Sequence, residues 1–273
     1  MTRHHTQKGF TLVELAVVIV IIGLLIGGML KGKQLITNAR ITSTASQVSA
    51  IESAVVIFRS TYNGLPGDLL AANTRIPNCT NCFVNAAGVN GNNIIGNPIW
   101  NGRNMQSIDI TAGTADQQAE AMFFWAELAQ ADMITGVSYD GSAVALTSVT
   151  FGTHMPAAKI GGGFGVAHVS GTVRPGVAPT GASTTYLSGT TLILNPTPTG
   201  TIANTTGVNI MDAAAAKQID TKLDDGQPFT GRTQAFGVTV RGSGPTGCYI
   251  SGAPYVYNEL ASSQDCGLAF QIK

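Results

Sequence analysis

The sequence has little charge, and the charge it has is balanced. Charged residues make up 11% of the 273 positions, and the 15 basic residues are matched by 15 acidic ones. An average soluble domain has about 25% charged residues. Nucleic-acid-binding proteins gather an excess of basic residues on one surface, so this composition argues against a general nucleic-acid binder. No specific nucleic-acid partner is evident.

Signatures of catalysis and of fibrous repeats are also missing. Beyond the first nine residues the histidines are His154 and His168, and nothing marks a serine or cysteine partner for either of them. The run GGGFG at 161–165 does not have the spacing of a nucleotide-binding loop. Glycine accounts for 33 residues without the three-residue period of collagen. The sequence therefore favours a non-enzymatic protein with many tight turns.

One long apolar run is present, at residues 10–30, which is too few for a polytopic transporter. It reads FTLVELAVVIVIIGLLIGGML and contains a single charge, Glu14. As a helix it is about 30 Å long, which matches the hydrocarbon core of a bilayer. A secretory signal peptide is shorter and ends in a small-residue cleavage site, whereas this run ends in KGK at 31–33. A plain membrane anchor is the other alternative, but a carboxylate inside a membrane helix costs at least about 2.5 kcal/mol, which makes Glu14 a functional candidate.

The junction before this run resembles a known processing signal. The hexapeptide GFTLVE at 9–14 follows a short basic leader and opens the apolar run. It resembles the class III signal of type IV pilins and type II secretion pseudopilins. The resemblance implies that residues 1–9 are a leader peptide and that prepilin peptidase cleaves after Gly9. It also implies that the new amino terminus, at Phe10, is N-methylated.

The same resemblance implies a role for Glu14 in assembly. In this family the glutamate neutralises the terminal amine, here that of Phe10, of a neighbouring subunit in the filament. An unpaired charge in an apolar filament core would be costly, so the pair would select correctly processed subunits. Because positions i and i+4 share one helix face, a Phe10–Glu14 pair within one chain is the alternative.

The pattern after residue 30 becomes amphipathic. Apolar positions recur at alternating steps of three and four, which predicts one helix from Phe10 to about Tyr62. In this interpretation residues 10–30 are the transmembrane or filament-core part, and residues 31–62 are an amphipathic continuation that packs on a globular domain. A coiled-coil dimer is the alternative. Pro66-Gly67 predicts a type II turn just after the helix. The predicted stripe consists of Ile41, Thr44, Val48, Ile51, Val55, Phe58 and Tyr62.

Residues 63–273 are expected to form a globular extracytoplasmic head. The polar stretch 73–115 predicts a long surface loop, and 116–133 and 211–223 predict helices. The fold class is therefore α+β and pilin-like, with a long N-terminal helix, membrane-spanning in its first half, before a β-rich head. The predicted strands are 143–151, 165–169, 190–194, 235–241 and 268–272.

Two carboxylates, Asp224 and Asp225, lie at the end of the second predicted head helix, where they oppose the helix dipole and need a partner. Backbone N–H groups, Arg232 or Ca²⁺ could supply it, although Lys222 stands where a calcium loop has a ligand. Together with the turn at 64–68 and the helix around Trp125, this segment resembles a subgroup of large pilin-like proteins, and some pseudopilins bind Ca²⁺ near their C-terminus. We expect a solvated or salt-bridged turn without a cofactor, with Ca²⁺ as the alternative. The candidate Ca²⁺ ligands are Asp220, Asp224 and Asp225.

Four cysteines follow the apolar run and would lie outside the inner membrane, in an oxidising space. Four cysteines allow three pairings. We favour Cys79–Cys82 and Cys248–Cys266, of which the second closes a C-terminal loop such as pilins often carry. A zinc site needs a second close pair, and a redox C-x-x-C motif needs a helix N-terminus that this Asn-rich segment does not offer.

The sequence thus predicts a structural subunit of a type IV pilus-like filament, processed by prepilin peptidase and assembled through its N-terminal helix. A type II secretion pseudopilin shares the whole N-terminal pattern. An alternative of another class is a membrane-anchored periplasmic binding or adhesin domain that never polymerises. The resemblance implies copies of the chain, related pilins, prepilin peptidase and an assembly platform as partners. It implies a single-pass inner-membrane protein of a bacterium with a cytoplasmic N-terminus, and then an extracellular pilus or a periplasmic pseudopilus.

Overall fold

The described part of the chain forms four helices and seven strands. A computed structural model describes residues 11–82, 91–95, 115–142, 144, 148–170, 187–198, 207–240, 242–252 and 254–272. The chain divides into two compact units, Met1–Arg40 and Ile41–Lys273. The predicted α+β class is confirmed, since a long N-terminal helix precedes a part that is rich in antiparallel sheet.

Helix α1, Leu12–Tyr62, begins in the first unit and ends in the second. Within the first unit its side chains are almost all exposed, including every large apolar one from Leu12 to Leu30. Among the described residues, α1 is the one helix that is long and apolar enough to cross a membrane. The apolar run predicted at 10–30 is thus helical from Leu12 onward.

The part of α1 in the second unit buries the predicted stripe. Tyr62, the last residue of the predicted stripe, is half-buried and its ring lies 4.7 Å from that of Phe58. Thr44 is buried as well, and its hydroxyl is satisfied there because its Oγ1 accepts a hydrogen bond of 3.1 Å from the N–H of Ile160. The buried residues of α1 are Ile41, Thr44, Ala45, Val48, Ile51, Ala54, Val55 and Phe58.

A type II turn follows α1, as predicted. The N–H of Asp68 donates to the carbonyl of Leu65 at 3.1 Å, and Gly67 has a φ of 82°. Only glycine takes that φ without strain, which is why the Pro-Gly pair forms this turn. The loop predicted at 73–115 needs correction at its start, because helix α2, Ala72–Arg75, lies there. Much of the remaining loop, 83–90 and 96–114, lies outside the described residues.

Helix α3, Ala115–Gln130, carries two fully buried aromatic side chains, Phe124 and Trp125, into the core. It ends three residues before the predicted end at 133. Asp132 has a φ of 56°, and the N–H groups of Asp132 and Met133 return to the carbonyls of Ala129 and Leu128. This is a Schellman motif, which stops a helix by satisfying its last carbonyls.

Two sheets complete the second unit. The first has four antiparallel strands in the order β1-β2-β7-β3, and the second has the short strands β4-β5-β6. Helix α4, Ala213–Leu223, packs on β3 and β7. The strands are β1 Gly163–Ser170, β2 Ser188–Asn195, β3 Thr233–Gly237, β4 Thr239–Val240, β5 Tyr249–Ile250, β6 Val256–Tyr257 and β7 Cys266–Gln271.

The predicted strands at 165–169, 190–194 and 268–272 correspond to β1, β2 and β7. The single strand predicted at 235–241 is wrong, because the chain leaves the first sheet after β3 and joins the second as β4. The break is at Val238, directly after Gly237, whose φ of 133° brings the backbone against the carbonyl of Asp265. Arg241 lies outside the described residues.

Two further predictions need correction. The strand predicted at 143–151 is wrong where it is described, since residues 148–151 contribute a single bridge pair, Phe151 with Met155. The rest of that segment is described only at residue 144. The helix predicted at 211–223 is shorter in the structure, where α4 begins at Ala213. The cap is Asp212, whose carboxylate accepts a hydrogen bond of 2.8 Å from the N–H of Ala215. Met211, before the cap, forms a β-bridge with Cys266.

Candidate functional site

Thr11 and Glu14 form a reciprocal pair at the start of α1. The backbone N–H of Thr11 donates to Oε2 of Glu14 at 2.9 Å, and the Thr11 hydroxyl donates to the same oxygen at 2.8 Å. In return the N–H of Glu14 donates to Oγ1 of Thr11 at 3.3 Å. This is a capping box, which satisfies N–H groups that the first helical turn leaves without intrahelical partners. The sequence shows its T-x-x-E signature, but the sequence reasoning did not use it.

The Glu14 carboxylate is exposed in the described chain, so a second molecule can reach it. Its negative charge stands in the first turn of α1, where the helix dipole favours an anion. The other two residues of the predicted site, Gly9 and Phe10, lie outside the described residues. The Phe10–Glu14 pair, within one chain or between two, therefore stays a prediction.

The surface that follows Glu14 is apolar on every side. From Leu12 to Leu30 the large aliphatic side chains are between 48% and 87% exposed, and Glu14 is the one charge among them. A helix that is apolar all round needs lipid or other helices around it, because a water-exposed patch of this size is strongly unfavourable. Such a surface can lie in a membrane or pack against copies of itself.

A cluster of three carboxylates lies at the end of α4. One oxygen from each of its three carboxylates lies within 4.8 Å of the others, close enough for one cation. The buried Asp220 accepts a hydrogen bond of 2.9 Å from the hydroxyl of Tyr257, while its Oδ1 has no hydrogen-bond partner among the described residues. Burial raises the pKa of Asp220 to about 7. The cluster consists of Asp220, Asp224 and Asp225.

Backbone groups, rather than Arg232, compensate the other two carboxylates. Asp224 accepts from the N–H groups of Arg232 and Thr233, the latter at 3.0 Å. Asp225 accepts from the N–H of Gln227 at 2.8 Å and from the hydroxyl of Thr230. The Arg232 guanidinium instead pairs with Glu52 on α1, at 2.7 Å. Of the two partners within the chain that the sequence suggested, backbone N–H groups bind these carboxylates and Arg232 does not.

Comparison with known protein families matches residues 4–30 to the prokaryotic N-terminal methylation motif. The chain carries a class III signal. This is the signal of type IV pilins and pseudopilins, and the match confirms the resemblance of the sequence around Gly9 and Glu14. Comparisons with curated proteins and with solved structures find no match. The class III signal points to a structural, non-enzymatic protein family.

The second unit contains two disulfides, Cys79–Cys82 and Cys248–Cys266. All four cysteines are buried. The sequence did not predict the role of the Asp265 carboxylate beside the Cys248–Cys266 disulfide. The buried carboxylate of Asp265 accepts from the N–H groups of Gly207 at 2.6 Å and Gly247 at 2.5 Å. Since Gly247 and Asp265 directly precede the paired cysteines, this contact closes the same loop without a covalent bond.

Proposed function

We propose that the chain is a structural subunit of a type IV pilus-like filament. Prepilin peptidase would cleave after Gly9 and methylate Phe10, and the mature subunits would polymerise through the apolar part of α1. The observation that carries this proposal is the class III signal joined directly to a helix whose apolar side chains are exposed on all sides. A cleaved anchor alone would not need an acid at a fixed distance from the new amino terminus.

The exposed apolar surface of α1 supports both stages of the proposed life of the subunit. Before assembly residues 12–30 would lie in the inner membrane, with the leader in the cytoplasm and the head outside. During assembly the same side chains would leave lipid for contacts with neighbouring copies, which keeps them out of water throughout. Glu14 would then neutralise the Phe10 amine of a neighbour, because an unpaired charge is costly in an apolar core.

The partners follow from the same proposal. They are copies of the chain and related pilins, prepilin peptidase, and the platform that extracts subunits from the inner membrane. No cofactor takes part. A pseudopilin would use the same signal and the same helix, so the place of the fibre, extracellular or periplasmic, decides between these two forms of the proposal.

Intact-mass spectrometry of the membrane-derived chain tests the proposed processing. We expect a chain that begins at Phe10 and carries one added methyl group. A Gly9→Val variant should keep residues 1–9, because a side chain at that position obstructs cleavage, whereas a Lys8→Arg control should be processed as the natural chain is. A natural chain that retains Met1–Gly9, or that is cut after residue 30, would contradict the proposal.

A further inference from the structure

We infer that Thr11 is a positioning residue that holds the Glu14 carboxylate ready for the amine of a neighbouring subunit. This inference rests on the proposed filament function and adds a second residue to its assembly site. It starts from the way in which the two Thr11 donors are distributed over the carboxylate.

Both Thr11 donors bind the same carboxylate oxygen. The N–H and the hydroxyl of Thr11 lie 2.9 Å and 2.8 Å from Oε2 of Glu14, and no contact to Oε1 is formed by the described residues. The box therefore fixes the side chain through one oxygen and leaves the other for a cation. Because neither donor is charged, the carboxylate keeps its full negative charge for the pair.

Fixing the side chain matters because Glu14 is exposed and a free glutamate samples many rotamers. Ordering such a side chain on binding opposes association, and a side chain that is already ordered avoids most of that loss. The box also survives processing. Cleavage after Gly9 turns the nitrogen of Phe10 into an amine but leaves the Thr11 amide and hydroxyl unchanged, so precursor and mature subunit present the same carboxylate.

A plain helix cap is the competing role for Thr11, and chemistry separates the two. Glutamine also completes a capping box, so Glu14→Gln keeps the cap while it removes the charge. If Thr11 only caps the helix, replacing it should lower incorporation into fibres equally whether residue 14 is glutamate or glutamine. If Thr11 positions a charge, replacing it should lower incorporation only when residue 14 is glutamate.

The test co-expresses tagged variants with the natural chain and measures by mass spectrometry the fraction of each variant in shear-released fibres, relative to its processed form in the membrane. The variants are Thr11→Val, Thr11→Ala and Thr11→Ser, each with Glu14 and with Glu14→Gln. We expect Val and Ala to lower incorporation about fivefold, the typical effect of losing an N-cap hydroxyl, and Ser to restore it. In the Glu14→Gln background the Thr11 variants should make no further difference to the residual fraction that co-assembles with the natural chain.

Incorporation of Thr11→Val and Thr11→Ala at the natural level, or an equal loss beside Glu14→Gln, would overturn the inference. Thr11 lies next to the cleavage site, so normalising to processed subunit keeps peptidase effects apart, and the Ala variant serves if Val blocks cleavage. If Glu14→Gln alone is harmful while the Thr11 variants assemble normally, only this inference fails. If Glu14→Gln itself incorporates fully, the charge pair of the proposed function fails as well.

Discussion

Oε2 of Glu127 accepts a hydrogen bond of 2.8 Å from the backbone N–H of Gly67, 60 residues earlier in the chain. The contact joins helix α3 to the turn that ends α1. The turn lies directly on the helix, since a Cβ built on Gly67 would stand 2.3 Å from the carbonyl oxygen of Glu120 and 2.8 Å from the N of Phe124. A buried carboxylate and a glycine thus fix the end of α1 against the core.

The close approach at Gly67 predicts a large effect of a single methyl group. Gly67→Ala should lower the free energy of unfolding by clearly more than Gly136→Ala, measured by chemical denaturation of the full chain in detergent. Gly136 has a φ of 80°, close to the 82° of Gly67, but open space around its Cβ position. The control should therefore cost about 1–2 kcal/mol for the backbone alone, and Gly67→Ala about 1–3 kcal/mol more for the overlap. Equal losses would show that the turn does not press on α3.

The burial of Glu127 predicts a pH dependence of stability. Burial raises the pKa of Glu127 well above its usual 4.5, although the Gly67 N–H opposes this shift. The folded chain therefore keeps a proton that the unfolded chain releases, so the free energy of unfolding falls as the pH rises above about 4.5 until the folded pKa is passed. Glu127→Gln keeps an acceptor for Gly67 and has no proton to lose.

Glu127→Gln should thus be more stable than the natural chain at pH 7, and its stability should fall less between pH 5 and the folded pKa of Glu127. Denaturation of both chains across this pH range tests the prediction. The neighbouring Asp68, Glu120 and Arg75 are present in both, so the difference isolates Glu127. A variant that is less stable at pH 7 and has the same pH slope would contradict it.

The two disulfides predict losses of different size. Removing Cys248–Cys266 by double alanine substitution should cost about 3 kcal/mol in the chain-entropy model, and removing Cys79–Cys82, which closes a much shorter loop, about 2 kcal/mol. Chemical denaturation of each double variant, with its remaining disulfide oxidised, measures the loss against the natural chain. Non-reducing peptide mapping of the natural chain is the control for the pairing. Free thiols at Cys248 and Cys266, or a bond from either to Cys79 or Cys82, would contradict the pairing.

The acidic cluster at the end of α4 predicts no response to calcium. Asp224 and Asp225 already accept hydrogen bonds from backbone N–H groups, so the turn should not need a cation. We expect millimolar Ca²⁺ to leave the unfolding temperature of the full chain unchanged, in a scan with EDTA as the reference. A rise in Tm that Asp225→Asn abolishes would instead establish a calcium site.

Local patterns in the sequence predicted helices α1, α3 and α4 and strands β1, β2 and β7, and tertiary contacts decided what the patterns left open. Alternating steps of three and four predicted the buried stripe from Ile41 to Phe58, since helix periodicity alone fixes which face is apolar. Pro66-Gly67 predicted the type II turn for the same local reason. The end of α3 just before the left-handed Asp132, and the break between β3 and β4 just after Gly237, depend on backbone bonds that no periodicity encodes.

The contacts that position functional and structural side chains were also predictable only where the partners are close in sequence. The class III signal is readable because its cleavage residue, helix and acid are adjacent in sequence, and the Thr11–Glu14 box is readable from its spacing. The contact between Glu127 and Gly67 is not, because it joins segments 60 residues apart, and the same holds for the ion pair between Glu52 and Arg232. Sequence proximity, rather than chemical type, decided what could be predicted.

The central claim, that Glu14 drives assembly by pairing with a neighbour's Phe10 amine, is tested most directly by Glu14→Ala. The measurement is the yield of shear-released fibres against N-terminally sequenced subunit in the membrane, with Glu52→Ala on the same helix as the control. We predict that Glu14→Ala subunits insert, fold and are processed after Gly9 but fail to polymerise, because losing one partner of a buried pair costs about 3–5 kcal/mol at each subunit added. The Glu52→Ala control should assemble. Processed Glu14→Ala subunits that form fibres at the natural yield would contradict the account.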